Sequence, residues 1–367
     1  MLKWSPLRLA VSALCFFAFL SSTWAQDAAT AAEPTPAVTP AAEPEKPGLL
    51  LSGFVDAYYQ HSFNKSTFPT SFTPNNNSFS LGMANLVLAK EGKVGFVADI
   101  AVGPRAEAAN GYAGTALSFI KQLYVKYAAT DKLTFTLGNF STFFCYEVID
   151  SKSNYHYTTS YIFSYGPFFH TGIKADYALS EHLSVMLGVF NDTDTKIDVV
   201  GGKHIGGQLS YKRDNFSLYF DGIGGRIIDP SETSTETMGY HFDVYSNIKA
   251  SDRLGLGFNV SRKSQKAVDQ EGQSWLGTAL YTTYALSDAF SLGVRGEFIR
   301  DADGMMLGKL DNNIAALTFS SHINLGSLTV IPELRFDSTK QEDTYTSLSG
   351  DALKAMSGLL MAVVYSF

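Results

Sequence analysis

The sequence predicts an all-β fold: a transmembrane, antiparallel, up-and-down β-barrel of about 16 strands, porin-like in size. Three observations carry this prediction. Segments of alternating apolar and polar residues recur along the chain, the connections between them switch between tight and long, and the alternation runs up to the last residue, Phe367. Lipid on one face and water on the other demand this period of two.

The first residues read as a secretory signal over residues 1–25. Lys3 and Arg8 flank the start, an apolar stretch runs from Leu9 to Leu20, and Thr23-Trp24-Ala25 supplies small residues at the expected cleavage positions. A spanning helix would need roughly 20 apolar residues, and Ser21, Ser22 and Thr23 interrupt too soon. Cys15 follows Leu14, so the small residue that a lipoprotein cleavage site needs before its cysteine is missing. Residues 26–47 are rich in Ala, Pro, Thr and Glu and read as a disordered linker. Residues 48–367 show no break in composition and are expected to form one transmembrane barrel. The location that follows is the outer membrane of a Gram-negative bacterium.

The chain carries 28 basic and 35 acidic residues, a net charge of −7, which argues against nucleic acid as a partner. Of its two cysteines, Cys15 would leave with the signal and Cys145 would have no intramolecular partner. Hydrophobic residues make up 45% of the chain, a share that a soluble protein could also have. Their spacing decides, because after the signal no apolar run is long enough for a spanning helix, whereas a barrel needs only every second side chain apolar.

The first strand is expected at Ser52 to Gln60. After a long stretch to Phe79 comes a pair, Ser80 to Ala89 and Val94 to Val102, joined by Lys90-Glu91-Gly92-Lys93. Farther on, Phe216, Leu218 and Phe220 alternate with Ser217, Tyr219 and Asp221. Leu254, Leu256, Phe258 and Val260 oppose Gly255, Gly257, Asn259 and Ser261, and Phe290, Leu292 and Val294 oppose Ser291, Arg295 and Glu297. Leu328, Val330, Pro332, Leu334 and Phe336 oppose Thr329, Ile331, Glu333, Arg335 and Asp337, with Pro332 a local weakness.

Tight connections fall at Ala128 to Lys132, Leu179 to Leu183, Lys212 to Phe216, Ala250 to Leu254, Leu286 to Phe290 and Asn324 to Leu328. Long ones fall at Gly103 to Ala116, Ser141 to Pro167, Asp192 to Gly202, Gly224 to Thr237, Lys263 to Ser274, Asp301 to Asn313 and Thr339 to Ala355. Their strict exchange places the tight turns at the periplasmic end and the long loops outside. Tyr127, Tyr177, Tyr211 and Tyr284 keep the apolar parity just before tight turns, where an interfacial aromatic girdle would lie. At the other end of the chain Leu359, Met361, Val363, Tyr365 and Phe367 alternate, and Tyr365 and Phe367 form the expected signal for the barrel assembly machinery of the outer membrane.

The third loop, Ser141 to Pro167, is the longest. By analogy with porin-like barrels it is expected to fold inward as a pore constriction, with Phe144, Tyr146, Glu147, Asp150, Lys152, Tyr155 and His156 as its candidate residues. The bland alternative is a loop folded over the barrel mouth. Inward parity also nominates lumen charges: Asp56, Asp99, Lys174, Asp176, Asp221, Asp243, Arg295, Glu297, Glu333 and Arg335, joined by Lys126 and Asp337. Acidic groups predominate, so a weak cation preference is expected unless pairs such as Glu297 with Arg335, or Glu333 with Arg295, cancel the field.

The stretch Leu137-Gly-Asn-Phe-Ser-Thr-Phe-Phe-Cys-Tyr-Glu-Val-Ile-Asp-Ser-Lys-Ser-Asn-Tyr-His-Tyr157, followed by Gly166-Pro-Phe-Phe-His-Thr-Gly-Ile173, resembles the OmpL-like β-barrel porin family. Tyr146 to Ile149, Asn154 and Pro167 to Gly172 carry the match, and Gly53-Phe-Val-Asp-Ala-Tyr-Tyr59 looks like that family's first strand. Two positions depart from the pattern: Cys145 stands where glycine or another small residue is expected, and Thr158-Thr159 lacks a nearby arginine. The resemblance implies an outer-membrane channel.

Catalysis finds little support. His170, His204, His241 and His322 have inward parity, whereas an outer-membrane lipase presents Ser and His toward lipid near the outer rim. No histidine spacing suggests zinc, and neither a metal nor another cofactor is expected. Cys145 is either a reactive thiol or a quiet one in a loop, and no basic residue adjoins it in sequence. Gly201-Gly202 and Gly222-Ile-Gly-Gly225 lack the lysine and helix of a phosphate loop.

The reading is an outer-membrane porin for passive diffusion of small hydrophilic solutes or ions, with membrane lipids as surroundings and a homotrimer as a possible assembly. The alternatives are a non-conducting barrel for surface binding or adhesion and an outer-membrane barrel hydrolase. A TonB-dependent receptor would need roughly 22 strands and a folded plug.

Overall fold

The computed structural model describes residues 48–227 and 237–367. The expected signal sequence and linker therefore lie outside the described residues, as do residues 228–236 of the fifth long connection. Sixteen antiparallel strands close into one barrel, the architecture the alternation predicted. They are β1 (Leu50–Ser62), β2 (Ser78–Lys90), β3 (Val94–Val102), β4 (Ile120–Ala128), β5 (Leu133–Ser141), β6 (Phe169–Ala178), β7 (Leu183–Phe190) and β8 (His204–Arg213). Then follow β9 (Phe216–Ile227), β10 (Thr237–Lys249), β11 (Leu254–Ala267), β12 (Gln273–Ala285), β13 (Phe290–Asp303), β14 (Leu310–Leu325) and β15 (Leu328–Thr339). A small hairpin, β16 (Tyr345–Thr346) and β17 (Ala352–Leu353), decorates the last long connection before β18 (Ala355–Ser366).

Each strand pairs with its neighbours in sequence, and β18 pairs with β1 to close the ring. Closure is completed by mutual bonds between the Gly53 and Phe367 backbones, both 3.1 Å. No edge remains, so strand backbone groups are bonded within the protein even where lipid surrounds it.

Facing follows parity. Leu280 is 61% exposed while its neighbours Ala279 and Tyr281 are buried, and Leu334 and Phe336 are exposed while Glu333, Arg335 and Asp337 are buried. Pro332 sits on the outward face of β15 without breaking its pairing to β18. Met361, Val363, Tyr365 and Phe367 all point outward. Tyr127, Tyr177 and Tyr284 are exposed beside tight turns, as an aromatic girdle requires.

Two expected long loops turn out short. Strand β11 continues to Ala267 and β12 begins at Gln273, so most of Lys263 to Ser274 is strand, and β13 and β14 absorb part of Asp301 to Asn313 in the same way. These ends carry Lys263, Gln265, Lys266 and Gln273, polar on both faces because strand that projects past the lipid no longer needs alternation. The second long connection contains an unforeseen helix, α1 (Pro104–Asn110), with proline at its start.

The wall is uneven. Strand β3 has 9 residues and β7 has 8, whereas β11 and β13 have 14 each and β14 has 16. One side of the barrel is thus low and the opposite side tall. Leu280 lies midway along tall strand β12, so Leu280→Arg should destabilise the barrel by about 2 to 4 kcal/mol, the cost of a cation on the lipid face. Urea unfolding in lipid vesicles measures this, and a change below about 0.5 kcal/mol would place the residue off the lipid face.

Candidate functional site: a strap of chain inside the barrel

The loop between β5 and β6, residues 142–168, is held inside the ring of strands. Its ends are pinched together where the Thr142 N–H donates to the Phe168 carbonyl at 3.0 Å. Between them Tyr157, Tyr161, Ile162 and Phe163 are fully buried, and their partners belong to strands from around the wall.

A strap in this position has no strand to pair with, so its backbone polar groups need other partners. Charged side chains supply them. The Tyr157 and Thr158 N–H groups donate to Glu333 at 2.9 and 3.2 Å, that of Ser160 to Glu147 at 2.7 Å, and that of Tyr161 to Glu297 at 2.7 Å. Carbonyls are served by arginines: Thr158 by Arg295 at 2.6 Å, Thr159 by Arg335 at 3.0 Å, and both Ile149 and Tyr157 by Arg105 at 3.1 Å. Charge-assisted bonds of this kind are shorter and stronger than neutral ones.

The charged groups also satisfy one another. Arg295 contacts Glu147 at 2.8 Å and Glu297 at 2.9 Å, and Arg335 contacts Asp337 at 2.9 Å. The cross-strand pairs expected from sequence do not carry this. Strand β14 separates β13 from β15, and roughly 9 to 10 Å between such strands favours partners two residues along the same strand. Lys121 on β4 grips Asp99 at 2.6 Å and Asp150 of the strap at 2.5 Å. Arg105, carried by α1, lies 3.8 Å from Asp56, whose carboxylate also accepts from the Met83 N–H.

Aromatic groups fill the space between. Tyr146 stacks on Tyr281 at 4.0 Å, and Tyr155 stacks on His322 at 4.2 Å and donates to Ser291 at 2.8 Å. Glycines make the recesses for these two rings: a Cβ at Gly257 would fall 2.3 Å from Tyr146, and one at Gly293 would fall 2.1 Å from Tyr155. Ser291 and Gly293 lie near the tight-turn end of β13, so Tyr155 marks a deep point of the strap. His156 bonds Ser320 at 2.7 Å, Phe144 packs on His241, and Lys152 stands 5.6 Å over the Phe54 ring. The Asn154 carboxamide accepts from the Val148 N–H at 2.9 Å and donates to the Val148 carbonyl at 2.6 Å, closing a turn within the strap.

Cys145 has φ 74°, in the left-handed region that favours glycine, which accounts for the small residue expected there. Its thiol is buried, and burial, with the Asp243 and Glu147 carboxylates adding to it, pushes the thiol well up from its ordinary value. Burial and these carboxylates disfavour the thiolate that an activated cysteine needs.

Lys174 and Asp176 pair at 3.2 Å and Lys126 pairs with Glu91 at 3.1 Å, all on the low wall and all partly open to water. Asp221 and Asp243 face each other across β9 and β10. Sequence reasoning missed Arg105 and Lys121. The first lies in a loop helix, and a register shift between Asp99 and Ile100 alters the parity that would have marked the second. Among the described residues no group of three or more His, Cys, Asp or Glu side chains is placed to hold a metal ion.

With the barrel, the strap and its anchors in view, comparison with known proteins is direct. The family described as "Putative beta-barrel porin-2, OmpL-like" matches residues 48–367. The chain belongs to this family. Solved structures of similar fold include an anion-selective porin from Comamonas acidovorans, at 12% identity and TM-score 0.62, covering 87% of this chain and 99% of that one. The outer membrane channel DcaP of Acinetobacter baumannii is similar at 11% identity and TM-score 0.59, covering 87% and 97%. OmpT, an outer-membrane protein of Vibrio cholerae, gives 11% identity and TM-score 0.57, covering 89% and 99%. At such identities the likeness is one of fold. No curated protein matches the chain. An OmpL-like porin barrel of 16 strands is thus the outcome for fold and family, and the outer membrane is the location it supports.

Two predictions follow from the strap's anchoring. Arg295→Met keeps bulk but leaves Glu147 and Glu297 buried without their cation, which should lower stability by about 3 to 5 kcal/mol. Denaturation in detergent reads this, and a loss under about 1 kcal/mol would mean that other contacts hold the strap. Cys145 should resist a maleimide in the folded barrel and react at once after unfolding; rapid labelling of the folded protein would contradict its burial.

Proposed function

We propose that this protein is a passive outer-membrane channel for small hydrophilic solutes or ions, narrowed by the 142–168 strap, and not an enzyme. The observation that carries the proposal is the anchoring of the strap by Arg105, Arg295 and Arg335 on its carbonyls and by Glu297 and Glu333 on its N–H groups, with the strap's own Glu147 held by Arg295. A segment fixed from several sides of the wall sets a constant cross-section, which is what size filtering needs. Phe144, Tyr146, Glu147, Asp150, Lys152, Tyr155 and His156 then define the narrow zone.

The open path runs along the low wall. Side-chain exposure rises to 28% at Lys126 and 42% at Asp176, whereas Arg295 and Arg335, facing the strap from the tall wall, are 0% and 2% exposed. The low wall also supports a homotrimer, because its strands, 8 residues in β7 and 9 in β3, sit at or just below the roughly 9 to 11 residues that a spanning strand needs, and a second barrel would cover it. One similar structure is described as the trimer form of OmpT. Export by residues 1–25, a linker at 26–47 and the barrel from residue 48 complete the proposed organisation, with Tyr365 and Phe367 read by the assembly machinery.

Planar-bilayer recording tests this. The intact protein should open discrete, ohmic steps, and a variant lacking Asn154 to Ser164 should open larger ones. Equal steps in the two would remove the strap from the conduction path. A protein that inserts without opening would replace the channel reading with a binding or adhesion barrel, and turnover of lipid or peptide substrates would bring back a hydrolase.

A further inference from the structure

Pairing consumes nearly every charge in the lumen. Arg105 meets Asp56, Lys121 meets Asp99 and Asp150, Arg295 meets Glu147 and Glu297, Arg335 meets Asp337, Lys126 meets Glu91, and Lys174 meets Asp176. Of the lumen carboxylates nominated from sequence, three stand outside these pairs: Glu333, Asp243 and Asp221. Glu333 is saturated by the N–H groups of Tyr157 and Thr158 and by the hydroxyls of Thr158 and Ser320. Asp243 accepts from the Asn259 amide at 2.8 Å and the Cys145 N–H at 3.2 Å.

Asp221 differs. It is 5% exposed, yet neither carboxylate oxygen has a hydrogen-bond partner within the protein. Gln208, its neighbour on β8, gives one N–H of its amide to the Phe143 carbonyl at 3.0 Å and stands beside the Asp221 carboxylate. Directly across the ladder stands Asp243, so two carboxylates share one place on the wall, where opposed side chains of this kind lie about 5 Å apart and repel. Two residues toward the tight-turn end, Tyr219 and Tyr245 stack at 4.4 Å, and the Tyr245 hydroxyl reaches toward the strap at Phe143. The Gln208 amide beside Asp221 is neutral and no basic group pairs with this carboxylate, so the repulsion stands, and a cation would offset it.

We infer that Asp221 and Asp243 form a transit site for small cations, set where the strap meets the wall at β9 and β10. The site has one carboxylate fixed by Asn259 and the strap and one free to bind, with Gln208 and the two tyrosines beside it. Two carboxylates without a complete ligand shell hold a cation weakly, and weak holding is what conduction through a site demands. Fixed negative charge there raises the local cation concentration and repels anions. The inference deepens the channel reading and rests on it.

Reversal potentials in a potassium chloride gradient test the site, with Asp343→Asn on an outer loop as control. The intact protein should prefer potassium over chloride, and Asp221→Asn should lower the permeability ratio about threefold or more, with Asp221→Asn/Asp243→Asn close to non-selective. Anion selectivity of the intact protein, or a ratio unchanged in the double variant, overturns the inference. If no form of the protein conducts, the channel reading fails separately, and terbium luminescence sensitised by the neighbouring tyrosines decides the site in the folded, detergent-held barrel. Emission lost in Asp221→Asn supports it, and equal emission overturns it.

Discussion

A peptide segment lowered into a closed barrel has no free strand edge to join, so its own N–H and C=O groups must be bonded by side chains of the wall. In this protein Glu297 and Glu333 of the wall take N–H groups, helped by the strap's own Glu147, while Arg295 and Arg335 of the wall and Arg105 of α1 take the carbonyls. The same arginines neutralise most of those acids and their neighbours. Removing any one member would leave several buried polar groups unmatched at once, which ties the strap and the tall wall into a single cooperative unit.

This division of labour changes what lumen charge means. Most of the charged side chains that point inward hold the strap, and their fields largely cancel over a few ångströms. The residual field comes from the few groups outside the network, and from partly hydrated pairs such as Lys174 with Asp176 on the low wall. Strand length works in the same direction: tall strands β13 and β15 carry Arg295, Glu297, Glu333 and Arg335, while the side of short strands β3 to β8 holds the strap through Lys121 on β4 and Arg105 on α1.

The barrel was legible because lipid imposes a period of two on every strand. Leu254 to Val260, Phe290 to Val294 and Leu328 to Phe336 therefore declared both their existence and their facing, and the closing strand declared itself through Met361 to Phe367. Strand ends were less legible, since Lys263 to Lys266 continue β11 beyond the lipid, where alternation has no cause to persist. Length marked the strap, but its partners could not be read from sequence. Glu333 and Tyr157 are brought together only by the barrel's curvature, and Arg105 reaches the strap from a loop helix that carries no barrel signal. One local signal was available: a small residue expected where Cys145 stands reports a backbone turned into the left-handed region.

The central claim is that the strap lies in the conduction path and reaches deep toward the tight-turn end. It is tested most directly by placing a single reporter thiol at Tyr155→Cys in a Cys145→Ser background and adding a charged methanethiosulfonate reagent to open channels from the tight-turn side. The account predicts a lasting, stepwise fall in single-channel current as each barrel is modified. Complete modification, confirmed by mass, with the open current unchanged would contradict it.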